Sequence, residues 1–296
     1  MKSIDVVALG EVLIDHVATD NGPLHSVGGS PANLVMNLSH LGHAVQLISA
    51  VGKDTFGQTI RDMLRMHGVN DAFVAASTLP TSQVFINQSS ESPEPIFHRG
   101  ADRLIEWDED WVGRIESAQI FHFTYWPLTE EPALSTTLKC IEIAKQAGVH
   151  ISFDPNYHPA LKTSQTISSQ DFTHLLHHID IIKPSLDDAL RMFQIEDTPE
   201  GYLARFEAYK IPLIILTMGR DGVWISHRGD RHYYPARVSE VIDATGAGDA
   251  FLAGYLSGVL HNYTVEQCIE QAQTMSARAL KTIGAIAPLN PSKGAQ

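Results

Sequence analysis

The chain has 296 residues, of which 44% are hydrophobic, and its formal net charge is -13 at pH 7. This apolar content predicts a large core, in one large domain or in one domain with an appendage. The acidic balance and the lack of a long basic run exclude nucleic acid and anionic membranes as expected partners, and no apolar run reaches the roughly 18 residues of a membrane-spanning helix.

The N-terminus and the cysteines bear on where the protein works. Residues 4–10 form a predicted strand that contains Asp5, which is unlike the basic and apolar start of a signal peptide. The two cysteines, Cys140 and Cys268, both fall in helix-like segments, where buried and reduced thiols are the usual state. We therefore expect a cytoplasmic protein.

The start of the chain predicts two strands. Residues 4–10 predict a buried strand that ends at a glycine, and residues 11–17 continue with partial alternation, which predicts a second, half-exposed strand. Asp15 in this second strand either points into a functional site or is an acid on the surface. The pattern allows both interpretations.

A pair of glycines precedes the first predicted helix. Ser30 is a favourable N-cap, and Pro31 fits the first helical position. Asn33 then lies in the first turn, beside Gly28 and Gly29. Its amide either binds sugar hydroxyls, since it can both donate and accept hydrogen bonds, or faces solvent at the start of the helix.

Short strands and polar loops follow, with few long apolar helices. Residues 84–87 and 95–99 predict two short strands around a polar loop. Together with the start of the chain they predict a small β appendage, whose segments are about 12–27 and 84–104. Arg99, at the end of the second short strand, either contacts an anion or a hydroxyl or is a solvated arginine.

From residue 119 onward, predicted strands and helices alternate regularly. Such alternation predicts a mostly parallel, doubly wound sheet, in which ligands bind beyond the carboxyl ends of the strands. Five segments come just after predicted strands and would share this edge of the sheet: Gly10, 154–156, 183–185, 217–222 and 243–249.

The segment 241–251 carries the most specific pattern of the chain. Val241 and Ile242 predict the end of a strand, a Gly-Ala-Gly turn follows, and an apolar helix is predicted over 250–260. Small residues at four-residue spacing on this helix permit the close approach of another helix or of a ligand ring, and core packing is the commoner cause. These residues are Ala250, Gly254 and Gly258.

Asp249 stands between the glycine turn and the helix. The N–H groups at a helix start have no intrahelical partner, and small residues let an anion approach them. The backbone of Gly246, Ala247 and Gly248 could therefore hold a phosphate, with Asp249 beside it as a base for a hydroxyl. This arrangement suggests phosphoryl transfer to an alcohol, and the alternative is a plain strand-to-helix turn.

Other ligand-binding patterns do not fit the sequence. A dinucleotide fingerprint needs a third glycine where Phe251 stands, and a P-loop needs a glycine at Leu47, ahead of the Gly-Lys pair at 52–53. His174 and His178 lie one helical turn apart, but no HExxH motif or cysteine partner accompanies them. A solvated helix face is therefore favoured over a metal site.

Four signatures stand in order along nearly the whole chain. They are Gly-Glu-Val-Leu-Ile-Asp at 10–15, Gly-Gly-Ser-Pro-Ala-Asn at 28–33 with Val-Gly-Lys-Asp-x-x-Gly at 51–57, Lys-Pro-Ser at 183–185, and Asp-Ala-Thr-Gly-Ala-Gly-Asp at 243–249. In these signatures the chain resembles the ribokinase-like carbohydrate kinases of the phosphofructokinase B type, and most closely the bacterial fructokinases. The last signature is the most specific.

The resemblance implies a Rossmann-like α/β fold, with a doubly wound, mostly parallel sheet and a small β-sheet lid, in which residues 1–296 form a single kinase domain. It implies ATP-dependent phosphorylation of a primary hydroxyl of a sugar, fructose first, with Mg²⁺ and in many members K⁺. A homodimer through the lid is also implied. 2-Keto-3-deoxygluconate, ribose or a nucleoside are alternative substrates, and a sugar-sensing homologue without turnover is the alternative outside the enzymes.

The resemblance also implies roles for individual residues. Asp249 would be the base, and the backbone of Gly246, Ala247 and Gly248 would form the anion hole. Sugar hydroxyls would be bound by Asp15, Gly28, Gly29, Asn33 and Arg99. ATP would be contacted by Lys183, Ser185, Thr217, Gly219 and Gly222. Asp188 would help to hold Mg²⁺ through water, and a monovalent cation would be bound by Asp243, Thr245 and Gly284.

Several positions depart from the family pattern. Ser185 and Asp188 stand where the family usually has asparagine and glutamate, and Ala244 replaces a common threonine. His158 stands where many fructokinases and ketodeoxygluconate kinases carry arginine, and Phe97 where ketodeoxygluconate kinases often carry tyrosine. Losing both an arginine and a phenol argues against an acid sugar as the substrate.

Overall fold

The computed structural model of the chain describes residues 2–19, 22–86, 95–237, 241–282 and 286. The chain divides into two compact units. The first unit comprises Met1–Val7 and Asp108–Ser239, and the second comprises Ala8–Trp107 and Glu240–Gln296.

Strands and helices alternate along most of the chain. The strands are β1 (Ile4–Leu9), β2 (Leu13–Thr19), β3 (Gly22–Gly28), β4 (Val45–Gly52), β5 (Val74–Ser77), β6 (Gln83–Ile86), β7 (Pro95–His98), β8 (Ala118–Thr124), β9 (His150–Asp154), β10 (Ile181–Ile182), β11 (Leu213–Thr217), β12 (Val223–His227) and β13 (Asp230–Tyr234). The helices are α1 (Ser30–His40), α2 (Thr55–Met66), α3 (Val112–Glu116), α4 (Ala133–Gln146), α5 (Ser169–Leu176), α6 (Leu186–Phe193), α7 (Pro199–Glu207), α8 (Ala247–Leu260) and α9 (Val265–Ala279).

The first unit contains a mostly parallel sheet with the strand order β13-β12-β11-β10-β9-β8-β1. β8, β9, β10 and β11 pair in parallel, whereas β12 and β13 form an antiparallel hairpin on β11. Because parallel strands end at one edge of their sheet, Thr124, Asp154 and Thr217 lie at the same edge.

Apolar side chains fill the interior of the first unit. Phe121 and Phe123 on β8 are fully buried, as is Phe153 on β9. The rings of Phe123 and Phe153 stack with their centroids 4.8 Å apart. Continuous apolar runs of this kind are typical of parallel strands that are covered on both faces.

The second unit contains β4 and β5, which pair in parallel, and a separate four-stranded sheet. In this small sheet the order is β3-β2-β6-β7, with β2 antiparallel to β3 and parallel to β6. Asp15 is in register with Val84, and His16 with Phe85. Since successive side chains of a strand point to opposite faces, Asp15 and His16 lie on opposite faces of the small sheet.

Helices α8 and α9 pack closely in the second unit because small residues face the contact. A Cβ atom at Gly254 would lie 2.7 Å from the Cα of Ala272, and one at Gly258 would lie 3.0 Å from the Cα of Cys268. The four-residue spacing of small residues on α8 therefore serves the packing of two helices.

One predicted element was wrong. Val241 and Ile242 belong to no strand, and their side chains are 61% and 66% exposed. The N–H group of Ile242 donates instead to the carbonyl oxygen of Leu280 at 2.7 Å, so the end of α9 satisfies this backbone rather than a neighbouring strand. Helix α8 also begins at Ala247, so that Asp249 lies inside its first turn.

The predicted fold class, mixed α/β with a large, mostly parallel sheet and a smaller sheet, is confirmed. Both cysteines are free and buried as expected, and burial raises the pKa of Cys140 to about 12 and that of Cys268 to about 11. No helix within the described ranges combines the length and the apolar character needed to cross a membrane.

Candidate active site

Asp249 lies in the first turn of α8, and both of its carboxylate oxygens are bound by side chains of α1. The Ser30 hydroxyl donates to Oδ1 at 2.7 Å, and the Asn33 amide nitrogen donates to Oδ2 at 2.8 Å. We call this arrangement the Asp249 clamp. A carboxylate oxygen can accept more than one hydrogen bond.

Ser30 does not cap α1, and that prediction was wrong by one position. The N-cap is Gly29, whose φ of 104° suits glycine, and no side chain caps this helix. A Cβ atom at Gly29 would lie 2.5 Å from the carbonyl oxygen of Glu11. Ser30 is therefore the first helical residue, and its hydroxyl is used on Asp249. The polar residue that follows the glycine pair was the signal for this contact, which the sequence analysis missed.

The side-chain amide oxygen of Asn33 is buried inside the second unit. The residue is 4% exposed, and its Oδ1 has no hydrogen-bond partner among the residues that the structure describes. A buried amide oxygen without a partner is costly, so a ligand hydroxyl that donates to it would be favoured. The prediction that Asn33 faces solvent was wrong.

The turn before α8 presents backbone N–H groups. Gly246 is the N-cap and has a left-handed conformation with φ of 70°. The helical ladder starts with the bond from Ala250 N to Gly246 O at 2.9 Å, so the N–H groups of 247–249 come before it. Of these groups, that of Ala247 donates to the carbonyl oxygen of Ala244 at 3.3 Å. The positive end of a fourteen-residue helix at this turn suits an anion.

Asp15 and Gly28 lie together on the antiparallel pair of β2 and β3. A Cβ atom at Gly28 would lie 2.0 Å from Oδ2 of Asp15, so this carboxylate occupies the space above the glycine. Burial, followed by the negative charges of Asp249 and Asp243, raises the pKa of Asp15 to about 7. Asp15 is thus partly buried among other acids, and the alternative of a simple surface acid was wrong.

Arg99 is held by an acid three residues away. Its Nε donates to Oδ2 of Asp102 at 2.7 Å, and the two side chains are 9% and 1% exposed. Asp102 also accepts hydrogen bonds from the Ser82 hydroxyl and the Gly100 N–H group. Arg99 is therefore a buried, ion-paired arginine, and the alternative of a solvated side chain was wrong.

The loop that precedes α8 contains two of the residues predicted for a monovalent cation. The Thr245 N–H group donates to Oδ1 of Asp243 at 2.9 Å, which closes a short turn. Both residues are partly exposed. Gly284, the third predicted residue, lies outside the described residues.

In the first unit, the predicted nucleotide residues Thr217, Gly219 and Gly222 follow β11. The Thr217 N–H group donates to the carbonyl oxygen of Pro184 at 3.0 Å, so this strand end adjoins the segment 183–185. Gly219 and Gly222 have positive φ values of 55° and 93°. A Cβ atom at Gly222 would lie 2.2 Å from the carbonyl oxygen of Tyr234, so the turn requires glycine there.

Lys183 is buried in an ion pair that the sequence analysis missed. Its Nζ lies 2.9 Å from Oδ2 of Asp154, and the two residues are 5% and 2% exposed. Burial, and next the charge of Lys183, lowers the pKa of the buried His122 to about 3. His122 is therefore neutral at neutral pH. The acid at the end of β9 was the signal in the sequence for this pair.

Ser185 and Asp188 form a capping box at the start of α6. The Asp188 carboxylate accepts hydrogen bonds from the Ser185 N–H group at 2.8 Å and from the Tyr157 N–H group at 2.7 Å. With 6% exposure and both oxygens engaged, Asp188 fits a contact to metal-bound water better than direct coordination. Within the described part of the chain, no group of three or more His, Cys, Asp or Glu side chains could hold a metal ion.

The α/β fold and the Asp249 clamp are the features expected of a phosphotransferase. The structure of the fructokinase of Halothermothrix orenii matches this chain with a TM-score of 0.82 and 31% identity, over 94% of this chain and 100% of that chain. The match therefore extends over essentially the whole fold.

The family follows from the sequence comparison. The model of the pfkB family of carbohydrate kinases matches residues 3–293, and the chain belongs to this family. A relative from Thermoanaerobacterium thermosaccharolyticum, an ATP-dependent 6-phosphofructokinase, is 37% identical over 97% of this chain and 91% of its own length. A probable chloroplastic fructokinase-6 of Arabidopsis thaliana is 32% identical over 98% of this chain and 80% of its own length. The protein is thus a sugar kinase, as the sequence analysis predicted.

Proposed function

We propose that this sugar kinase uses ATP to phosphorylate a primary hydroxyl of a neutral sugar, with fructose as the preferred acceptor. The observation that carries this proposal is the Asp249 clamp, a fixed carboxylate at the N-terminus of α8. Phosphoryl transfer to an alcohol requires a base for the hydroxyl and donors for the developing charge, and this position supplies both. The similarity to two fructokinases and to an ATP-dependent relative supports the sugar and the donor.

In the proposed reaction, the sugar hydroxyl attacks the γ-phosphorus of ATP while Asp249 takes its proton. The bond between the γ-phosphorus and the bridging oxygen of ADP breaks, and ADP leaves. The backbone of Gly246, Ala247 and Gly248 acts as the anion hole for the charge on the transferred group. Because Asp249 is held through both oxygens, it meets the hydroxyl in one orientation.

We assign the sugar to the residues around the clamp. The Asn33 amide oxygen accepts a hydrogen bond from one sugar hydroxyl, and the Asp15 carboxyl group contacts another. Gly28 leaves room for the Asp15 carboxylate and Gly29 for the Glu11 backbone, so both glycines shape the wall of this region without adding a side chain. Arg99, held by Asp102, contributes a fixed positive charge on the same unit.

We assign ATP to the first unit, with Thr217, Gly219, Gly222 and Ser185 as its contacts. Lys183 would reach a phosphate only by exchanging its partner Asp154, since the pair is buried. Mg²⁺ binds mainly to phosphate oxygens and water in kinases, which agrees with an outer contact to Asp188. Asp243 and Thr245, together with Gly284, would hold K⁺.

We also propose that residues 1–296 form one kinase domain that acts in the cytoplasm as a homodimer. The small sheet of β2, β3, β6 and β7 would serve both as a lid over the sugar and as the dimer contact. Ile96 on β7 is 50% exposed, which supports a role in an interface.

Fructose 6-phosphate is the second candidate acceptor, because the 37% identical relative is a 6-phosphofructokinase. Like fructose, this substrate offers a primary hydroxyl. Fructose stands first because the solved structure at 31% identity and the Arabidopsis relative are both fructokinases.

The test is a panel of acceptors in an assay of ADP release, with fructose, fructose 6-phosphate, 2-keto-3-deoxygluconate, ribose and a nucleoside. We expect the highest kcat/KM for fructose. A higher value for fructose 6-phosphate would establish the second candidate. Sugar binding in calorimetry without ADP release from any acceptor would show a sensor in place of an enzyme.

A further inference from the structure

Ser30 is a buried serine whose hydroxyl donates a hydrogen bond to Asp249. It is 6% exposed, and its Oγ donates to Oδ1 of Asp249 at 2.7 Å. The hydroxyl does not cap α1, since Gly29 is the N-cap and no side chain caps the helix. A serine hydroxyl at the start of a helix commonly bonds to the nearby backbone. The Ser30 hydroxyl instead bonds to Asp249 on α8, which points to a role there.

The backbone around Ser30 is fixed from the other side. Its N–H group donates to Oε1 of Glu11 at 3.2 Å, and Glu11 is 1% exposed. Gly29 allows this approach, because any side chain there would collide with the Glu11 backbone. The backbone of Ser30 is therefore held in place independently of Asp249.

Ser30 and Asn33 lie three residues apart on α1, so their side chains are neighbours on one face. One donates to each oxygen of the same carboxylate. Two donors at separate oxygens restrict the rotation of the carboxylate about its bond to Cβ.

We propose that Ser30 is a positioning residue for phosphoryl transfer, which fixes the direction of Asp249 Oδ1 and favours the ionised form of this base. The inference rests on the proposed function, in which Asp249 deprotonates the sugar hydroxyl. Ser30 lies within the signature at 28–33, but the resemblance gave this residue no role in the site.

Other acidic groups lie near the clamp. Asp15 on β2 and Asp243 in the loop before α8 interact electrostatically in this acidic cluster, and Glu11 is buried beside Ser30. Like charges favour protonation of a carboxylate, whereas hydrogen bonds to its charged form oppose it. Loss of the Ser30 hydroxyl would therefore make Asp249 easier to protonate.

The test compares Ser30→Ala with Ser30→Thr, which keeps a hydroxyl, and with Ser39→Ala at the other end of α1 as a matched control. We expect kcat of Ser30→Ala to fall roughly 10- to 100-fold, the range for loss of one hydrogen bond to a charged group. KM for sugar and ATP should change little. The acidic limb of the pH profile of kcat should move upward by about 1 pH unit.

Two further measurements distinguish a positioning role of Ser30 from a packing role: recovery of kcat by a hydroxyl-bearing variant, and the combined effect of two substitutions. Ser30→Thr should recover most of the lost kcat, and Ser30→Ala should cause no further loss in an Asp249→Asn background. Equal loss in the Ala and Thr variants, an unmoved pH profile, or an effect confined to KM would each overturn the proposal. If Ser30→Ala does not fold, Ser30→Cys fills the position with a slightly larger side chain that is only a weak donor, and it carries the same expectations.

Different results would show that the proposed function itself is wrong. Wild-type-like turnover of Asp249→Asn, or no turnover of any acceptor by the wild-type protein, would remove the base itself. Normal loss of activity in Asp249→Asn with an unaffected Ser30→Ala would instead overturn only the role of Ser30.

Discussion

Two neighbouring carboxylates of the second unit have different surroundings. Asp249 accepts hydrogen bonds from Ser30 and Asn33, whereas burial and nearby negative charges raise the pKa of Asp15 to about 7. Hydrogen bonds favour a charged carboxylate, and burial favours a neutral one. In the proposed reaction two acids in one site thus take different roles, with Asp249 as the base and Asp15 as a contact of the sugar.

Replacing Asp249 by asparagine keeps the size of the side chain but removes the base. We expect Asp249→Asn to lower kcat by roughly 10²- to 10⁴-fold with little change in ATP binding. Steady-state kinetics and calorimetry with ATP would measure the two effects. Asp230→Asn, at an exposed acid of β13, is the control and should keep normal turnover. Normal turnover in Asp249→Asn would exclude it as the base.

The raised pKa of Asp15 predicts a pH-dependent stability. Its folded-state pKa of about 7 lies above the ordinary value of 3.8, so between about pH 4 and pH 7 the folded chain binds more protons than the unfolded chain. The contribution of this group to stability therefore falls as the pH rises through that window. We expect Asp15→Asn to raise Tm at pH 8 and to change it much less at pH 5.

Thermal unfolding of both proteins at the two pH values would measure this difference. A parallel Asp230→Asn variant should show no pH-dependent difference from wild type, because that acid is exposed. The same change in Tm for Asp15→Asn at pH 5 and pH 8 would contradict the assigned pKa.

Residue types and spacing could reveal part of the site. The glycines at 246 and 248 and the acid at 249 are residues that an anion hole and a base require, and their chemistry is visible in the sequence. The contact of Ser30 with Asp249 joins residues 219 positions apart. It depends on how α1 packs against α8, which no local pattern specifies.

At the scale of elements, the contact between α8 and α9 limits what α8 can tolerate. The Cβ atom of Gly254→Ala would lie 2.7 Å from Ala272 Cα and 2.8 Å from Gln271 O, both backbone atoms. One helix must shift to accept it. We expect a loss of about 1–3 kcal/mol in the free energy of unfolding, measured by urea denaturation.

Gly113→Ala in α3 is the matched control. A Cβ atom there meets nothing within 4 Å, and alanine favours a helix over glycine by about 0.5–1 kcal/mol. This variant should be as stable as wild type or slightly more stable. A Gly254→Ala variant with wild-type stability would show that the two helices do not need their close approach.

Most helices and buried strands followed from sequence pattern because their apolar periods are regular, whereas β5, α3 and α7 were not predicted. The failure at Val241 and Ile242 has a specific cause: two β-branched residues favour a strand locally, but the backbone there bonds to Leu280 at the end of α9. Likewise the sequence did not show that Gly29 and not Ser30 is the N-cap, since the positive φ of Gly29 and its close approach to the Glu11 backbone are properties of the folded chain. Tertiary contacts decided both cases.

For the whole molecule, a homodimer through the small sheet predicts a native mass of twice the 32.5 kDa of the chain. Ile96 is 50% exposed and shares a face with Phe85 and His16, opposite Asp15. A charge in an apolar interface is costly, so Ile96→Glu should produce the monomer in light scattering. Met66→Glu, at a 71% exposed residue of α2, should leave the dimer intact.

A wild-type protein that is monomeric at high concentration would contradict this assembly. The alternation of strands and helices predicted the architecture at this scale, because it permits few arrangements other than a parallel sheet with helices. The buried pair of Lys183 and Asp154 was not predicted, since the sequence shows two charges after two strands but not that they meet.

The two thiols have a practical consequence for experiments on this kinase. Cys140 and Cys268 are buried, and burial raises the pKa of both, so almost no reactive thiolate exists at neutral pH. Maleimide dyes should therefore leave the folded wild-type chain unlabelled. A single cysteine introduced at Leu24, which is 40% exposed on β3, would take one fluorophore without removal of the native cysteines. Its emission could then follow the small sheet during sugar binding in real time.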